Sequence, residues 1–93
     1  MENQLKVKGT IISIMDAIQG ENWIKQEFQI RTDGEYPQIN SFIAFNTSQD
    51  QLSRCKVNDH VTVFFNIESR MYKDKWYTDL KAWRINITFN KPE

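Results

Sequence analysis

Val61-Thr-Val-Phe-Phe-Asn-Ile-Glu-Ser-Arg-Met-Tyr-Lys-Asp-Lys-Trp-Tyr-Thr-Asp-Leu-Lys-Ala-Trp-Arg-Ile85 reads as two strands joined at Lys73-Asp74-Lys75. In the first half Val61, Val63, Phe65 and Ile67 alternate with Thr62, Asn66, Glu68 and Arg70. That period of two marks a strand with one buried face. Phe64 interrupts the polar set, so the second face is not simply wet. In the second half Leu80 and Ala82 form a smaller core face, while Trp83 shares a face with Tyr77, Asp79 and Lys81. Trp83 is expected to be structural or to form a subunit contact. The join is basic and flanked by Tyr72, Trp76 and Tyr77. Cations beside flat rings at a hairpin mouth suit a phosphate chain whose bases need something to stack on.

Residues 5–15 read as the first strand. Leu5, Val7, Gly9 and Ile11 share a face, and Ile12 and Ile14 then appear on the other. A mid-strand glycine with a change of facing predicts a bend or bulge, which a small barrel needs to close. After a loop at residues 19–22 the second strand covers residues 23–32, with Ile24, Phe28 and Ile30 inward and Trp23, Lys25, Glu27, Gln29 and Arg31 outward. Asp33-Gly34 predicts a two-residue hairpin turn, since both central residues must take positive φ. Pro37 opens the third strand, which runs on through Phe45. Phe42 and Phe45 fall on opposite faces, and the pattern leaves open which one is core.

Between the third and fourth strands lies one helical segment. Ser48 is expected to cap it with Gln51 reaching back, and Leu52 and Cys55 to face the core. Asn58-Asp59 turns the chain into the long hairpin, and residues 91–93 are expected to fray. The order is three strands, a short helix and two strands. This predicts an all-β, five-stranded OB-fold barrel with one helix between strands 3 and 4, with an SH3-like barrel as the rival.

The chain has 93 residues, which predicts a single domain over residues 1–93 with its core between about residues 5 and 88. One cysteine rules out an internal disulfide and a thiolate metal cluster. No window approaches 18 apolar residues and the start has no apolar targeting segment, so a soluble, cytoplasmic protein is expected. Twelve basic and twelve acidic side chains cancel, which counts against nucleic acid. The cancellation is uneven, however. From Arg54 to Arg84 seven Lys/Arg face four acids, a net +3, and a local patch steers a polyanion even when the total is zero.

Residues 57–63 (Val-Asn-Asp-His-Val-Thr-Val), Ile67-Glu-Ser-Arg70 and the run from Lys75 to Ile85 resemble a family of small uncharacterised single-domain bacterial proteins. That family is similar in turn to bacterial single-stranded-DNA-binding proteins. Trp23-Ile-Lys-Gln-Glu-Phe28 resembles its second-strand motif and Tyr36-Pro37 the start of its third strand. The resemblance spans about Leu5 to Ile85 and implies an OB-fold and, by extension, single-strand binding. It departs in three places. Asn58 stands where the pattern has Gly, a mild change because Asn tolerates the left-handed conformation. Strands two and three are expected to join tightly rather than through the longer arm that helps wrap DNA. The acidic, hydrophobic-ended tail by which such proteins recruit partners is not expected here.

OB-folds bind oligonucleotides on the face of strands two and three, flanked by the loops joining strands one and two and strands four and five. That geometry assigns Trp23, Lys25 and Arg31 to one side of a groove and Arg70, Tyr72, Lys73, Lys75 and Trp76 to the other. Tyr72 matches the stacking position that the resemblance implies beside the basic stretch, and Phe45 one that it implies at the end of the third strand. The structural alternatives are ordinary ones: cross-strand pairing of Lys25 and Arg31 with Glu27 and a neighbour, and a charged hairpin tip serving solubility.

Cys55 and His60 are each alone of their kind, too few for a metal site or a Cys–His nucleophile. No GxxxxGK, GxSxG or HExxH string occurs. The sequence therefore reads as a non-enzyme without cofactor, metal or small-molecule substrate. Two functions compete, with oligosaccharide binding a third that surface tryptophans allow but no sugar-specific arrangement supports. One is sequence-tolerant binding of single-stranded DNA, with RNA as the other strand chemistry. The other is a protein-interaction or assembly module on the same barrel. Self-association to a dimer or tetramer is expected under either, since linking small sites adds avidity.

Overall fold

The computed structural model of the chain describes residues 5–89; the tail expected to fray, residues 91–93, lies outside them. The elements are β1 (Leu5–Ile14), β2 (Ile18–Gln19), β3 (Ile24–Thr32), β4 (Ile39–Phe45), α1 (Thr47–Leu52), β5 (His60–Tyr72) and β6 (Lys75–Phe89). The order across the sheet is β1-β5-β6-β4-β3-β2, and β1 also pairs with β3, which closes the ring. The strand meander, the helix after β4 and this closure are those of an OB-fold. The two-residue β2, which pairs with Lys25 and Ile24, is absent from the sequence reading; without it the five predicted strands are β1, β3, β4, β5 and β6.

Strand β1 makes closure possible. Its first half pairs with β5 from Leu5 to Thr10, and its second half with β3, with a register shift between Ile11 and Ser13. That is the predicted bulge, and it re-aims the strand from one neighbour to the other. Gly9 sits where both neighbours are paired, opposite Val61 and Thr32. A Cβ there would lie 2.4 Å from the Arg31 carbonyl oxygen, so only glycine lets the strands approach.

The core is formed by Ile11, Phe28, Ile30, Phe42, Ala44, Val61, Val63, Ala82 and Ile85, with Leu52 and Cys55 closing one end. Phe42 is the core phenylalanine, stacked on Phe28 at 5.6 Å and edge-on to Phe65 at 5.1 Å. Ile67 departs from the expected buried face and is 55 % exposed. The register explains this: among the described residues, the β5–β6 hairpin beyond Asn66 pairs only with itself, and Ile67 lies on that two-stranded ribbon.

Three local expectations are corrected. Residues 33–38 form a six-residue connection in place of a two-residue turn at Asp33-Gly34, and Pro37 lies in that connection ahead of β4. Gly34 has φ +114°, but Asp33 has no positive φ. The Asp33 N–H donates to the Lys8 carbonyl at 3.1 Å and its carboxylate bonds His60 Nε2 at 2.7 Å, contacts that hold it to the β1–β5 side. The tight two-residue turn forms instead at Lys73-Asp74, both at positive φ, between the paired residues Tyr72 and Lys75. The capping box is also absent. Asn46 occupies the cap position without a side-chain cap bond, and Ser48 is buried within the helix. Ser48 Oγ accepts from the Phe45 N–H at 2.8 Å and donates to the Phe45 carbonyl, while Gln51 Oε1 accepts from the Ile85 N–H at 2.7 Å. Both side chains tie the helix to the sheet.

Cys55 is buried beneath this end of the barrel. Burial first, and the Asp59 carboxylate second, push its thiol from 9.0 up to about 11. Only a thiolate attacks a disulfide reagent, so native protein at pH 8 should react about 100-fold more slowly than the urea-unfolded chain. Comparing the two rates tests it, and equal rates would show an accessible thiol. Because the folded value lies above the unfolded one, the associated stability is present below pH 9.0 and disappears as pH rises toward 11.

Candidate nucleic-acid interface

Residues paired across a sheet share a face. Phe28 pairs with Phe42 and points inward, so its neighbours Lys25 and Phe45, also paired, point out. The same outer face continues through Ile43, which pairs with Lys81, and on to Asn66. Four strands thus present one surface carrying Lys25, Phe45 and Lys81.

Its aromatic positions are held from behind. The Asn46 N–H donates to the Ile24 carbonyl at 2.9 Å, and Asn46 Oδ1 accepts from the Ile24 N–H at 3.0 Å. These two hydrogen bonds to β3, with those of Ser48, anchor Phe45 beside the start of that strand. Trp23 precedes β3 and accepts at its carbonyl from the Gly20 N–H at 2.8 Å. Its indole lies so close over Gly20 that a Cβ there would meet the ring at 2.2 Å. Trp23, Lys25 and Phe45 line one hollow, with Trp23 42 % exposed. Lys25 Nζ lies 5.9 Å from the Trp23 ring and Lys81 Nζ 5.0 Å from that of Phe45. Lys81 also meets Glu68 at 3.0 Å.

The cross-strand ion pairs expected on β3 as the structural alternative do not form. Glu27 accepts from Ser41 Oγ at 2.8 Å, and Ser41 accepts from Gln29 Nε2 at 2.9 Å. Among the described residues, ion pairs join Arg54 to Asp50, His60 to Asp33, Arg70 to Asp79 and Lys81 to Glu68. Lys25 and Arg31 are in none of them. Arg31 stands six residues beyond Lys25, opposite Ile39, about 20 Å along the strand.

The ribbon splits its predicted set. Tyr72, Arg70, Lys75 and Tyr77 share the outer face, and Lys73 Nζ sits 5.3 Å from the Tyr72 ring at the tip. Arg70 is bound to Asp79 at 2.8 Å. Trp76 pairs with Met71 on the opposite face, 69 % exposed, in line with Ile67 and Leu80. Tyr72 and Trp76 therefore do not form one wall. Lys81, which the sequence does not single out, joins this candidate face because its meeting with Phe45 follows from the parallel β4–β6 contact.

A family model described as a domain of unknown function, DUF3127, matches residues 6–86. No curated protein matches the chain. Among solved structures, the mitochondrial single-stranded DNA-binding protein Rim1 of S. cerevisiae is similar at a TM-score of 0.77 and 16 % identity, over 96 % of this chain and 98 % of that one. The SSB domain of a Synechococcus sp. protein is similar at 0.71 and 16 %, over 92 % and 96 %. The N-terminal domain of PriB from Thermoanaerobacter tencongensis, described as dimeric, is similar at 0.71 and 15 %, over 98 % of both. At such identities the likeness is one of fold, the OB-fold.

Proposed function

The chain belongs to the DUF3127 family, and on that premise we propose that it binds single-stranded nucleic acid, DNA first, without reading sequence. The observation that carries this is the hollow of Trp23, Lys25 and Phe45, with Lys81 at its margin, on the outer face of β3 and β4. Rings beside cations meet both needs of a single strand: stacking surface for bases and positive charge for phosphates. Arg31 and the ribbon residues Tyr72, Lys73 and Lys75 extend the track, with Arg70 contributing once Asp79 releases it. Trp76, on the other side of the ribbon, serves a strand that wraps around the tip. The solved neighbours named as single-stranded-DNA-binding proteins support the reading.

Titration with oligo-dT at low salt should quench tryptophan fluorescence. With four or five phosphates contacted, log K should fall against log salt with a slope of about −3. Absence of quenching at low salt rejects the proposal, and single-stranded RNA and duplex run beside it fix the preferred strand. Gly20→Ala offers a gentler check. The added methyl displaces the Trp23 ring and should weaken binding by roughly threefold to tenfold, part of the worth of one stacked base. Thermal unfolding should move little, and a large drop in the midpoint would mean that Gly20 is structural.

A second reading, a protein-interaction module, draws on the apolar ribbon face formed by Ile67, Met71 and Trp76. Its mark would be a protein partner retained after nuclease treatment. Self-association belongs to the proposal under either reading, and light scattering measures it directly.

A further inference from the structure

The outer face of β1, β5 and β6 carries a second group of rings and cations that the Trp23 hollow does not use. Phe64 and Trp83 lie 5.4 Å apart, inclined at 48°. Lys6 Nζ stands 5.9 Å from the Phe64 ring and the Arg84 guanidinium 5.8 Å from it. The sheet registers assemble this cluster from three strands. Lys6 pairs with Phe64 across β1–β5, and Phe64 pairs with Arg84 across β5–β6. The register shift between Phe64 and Phe65 leaves Trp83 as the extra residue of β6, turned outward beside Arg84 and 41 % exposed.

The charged residues nearest these rings are basic; the acids of the same outer face, Glu68 and Asp79, lie farther along β5 and β6, paired with Lys81 and Arg70. Lys8 follows Lys6 along β1, and neither β1 nor residues 62–64 and 83–86 contain an Asp or Glu. In a chain of zero net charge, this segregation sets a cationic aromatic surface apart from the rest. It is also continuous with the first site. A groove lined in part by Phe45, Lys81 and Trp83 connects the two, and the Glu68 carboxylate at its side is bound by Lys81 at 3.0 Å.

We propose that Phe64 and Trp83, flanked by Lys6 and Arg84, form a second stacking subsite that takes the nucleotides leaving the Trp23–Phe45 hollow along the Lys81 groove. The proposal rests on the single-strand reading above and adds a path and a length to it. A second copy of the chain is the competing occupant of such a face. An isologous contact would set the patch of Lys6, Lys8 and Arg84 against the same patch of the other copy, basic surface on basic surface. A polyanion meets them with opposite charge.

Oligonucleotide length separates the two subsites. Fluorescence anisotropy with labelled dT of about 6 and about 25 nucleotides, spanning one and several OB-fold site sizes, is measured for the unsubstituted chain, Trp83→Ala and Lys6→Ala/Arg84→Ala. The long strand should bind Trp83→Ala about tenfold more weakly, the worth of one base stacked on a ring. For the double lysine–arginine variant its salt slope should fall by about 1.4, two phosphates at about 0.7 each. The short strand should bind all three proteins alike. Lys6 and Arg84 are exposed, so their removal tests the subsite even if Trp83→Ala perturbs folding. Unchanged long-strand affinity and salt slope would overturn the subsite while leaving the first site standing. A fall in molar mass on light scattering with no change in long-strand binding would also overturn it, by giving the face to a second copy. If the unsubstituted chain binds neither length, the single-strand reading itself fails and the subsite with it.

Discussion

Phe42→Ala should cost about 3–5 kcal/mol of folding stability, the range for emptying a phenylalanine site in a packed core. Phe42 has no exposed surface. It stacks on Phe28, meets Phe65 edge-on, and sits where β3 and β4 pair at the barrel's centre. Deleting the ring leaves a cavity bounded by strands that ladder hydrogen bonds hold in place, so little collapse can offset the loss. Domains of this size have roughly 5–15 kcal/mol in total, so the variant should unfold at much lower urea. Phe45→Ala, three residues along and facing outward, should stay within about 1 kcal/mol of the parent chain. Urea unfolding of both variants followed by circular dichroism measures the difference. Equal losses would mean that Phe45 carries core packing too.

The periodicity of two carried the barrel because it is a local property: each strand announces its buried face through its own residues. The inward positions Phe28, Ile30, Val61 and Val63 and the bulge in β1 were legible for that reason. The choice between Phe42 and Phe45 was not, because both faces of β4 offer apolar residues and only the pairing with β3 and β6 decides which face turns in. Asp33-Gly34 carries a strong turn signal, yet Asp33 is drawn toward His60 and Lys8, partners distant in sequence, and the chain crosses in six residues. Lys73-Asp74 adopts the strained turn without glycine because the long β5–β6 ladder imposes its register on the tip. Ser48 looks like a cap to any local rule, but the Phe45 backbone sits within its reach and claims it.

The candidate site followed the same division. Trp23 and Lys25 were readable from the alternation that leads into β3, while Lys81 joins them only through the two-residue parallel contact between β4 and β6. The parity of a two-residue hairpin parts Tyr72 from Trp76. Tyr72 pairs with Lys75 and Met71 with Trp76, so flanking rings an odd step apart from the turn must part to opposite faces.

Trp23→Ala and Phe45→Ala should each weaken oligo-dT binding by about tenfold, within the roughly 1–3 kcal/mol that a base stacked on an aromatic ring provides. The double variant separates two arrangements of the hollow. If each ring holds its own base, the effects add and the double variant falls about 100-fold. If both rings enclose one base, removing the second costs much less after the first. Salt dependence distinguishes stacking from charge. The aromatic variants should keep the parent slope of log K against log salt, whereas Lys25→Ala and Lys81→Ala should each lower it by about 0.7, one phosphate on a single strand. Lys81 is shared with Glu68 at 3.0 Å, which makes Glu68→Gln the complementary change. Freed from the carboxylate, the ammonium near the Phe45 ring should strengthen low-salt binding, by a few-fold because an exposed pair holds its cation weakly. If Trp23→Ala, Phe45→Ala and Lys25→Ala all leave affinity and slope untouched while the barrel stays folded, this face does not hold the strand. The cationic surface around Phe64 and Trp83 could not then be its continuation, because a path along the Lys81 groove has to begin at this hollow.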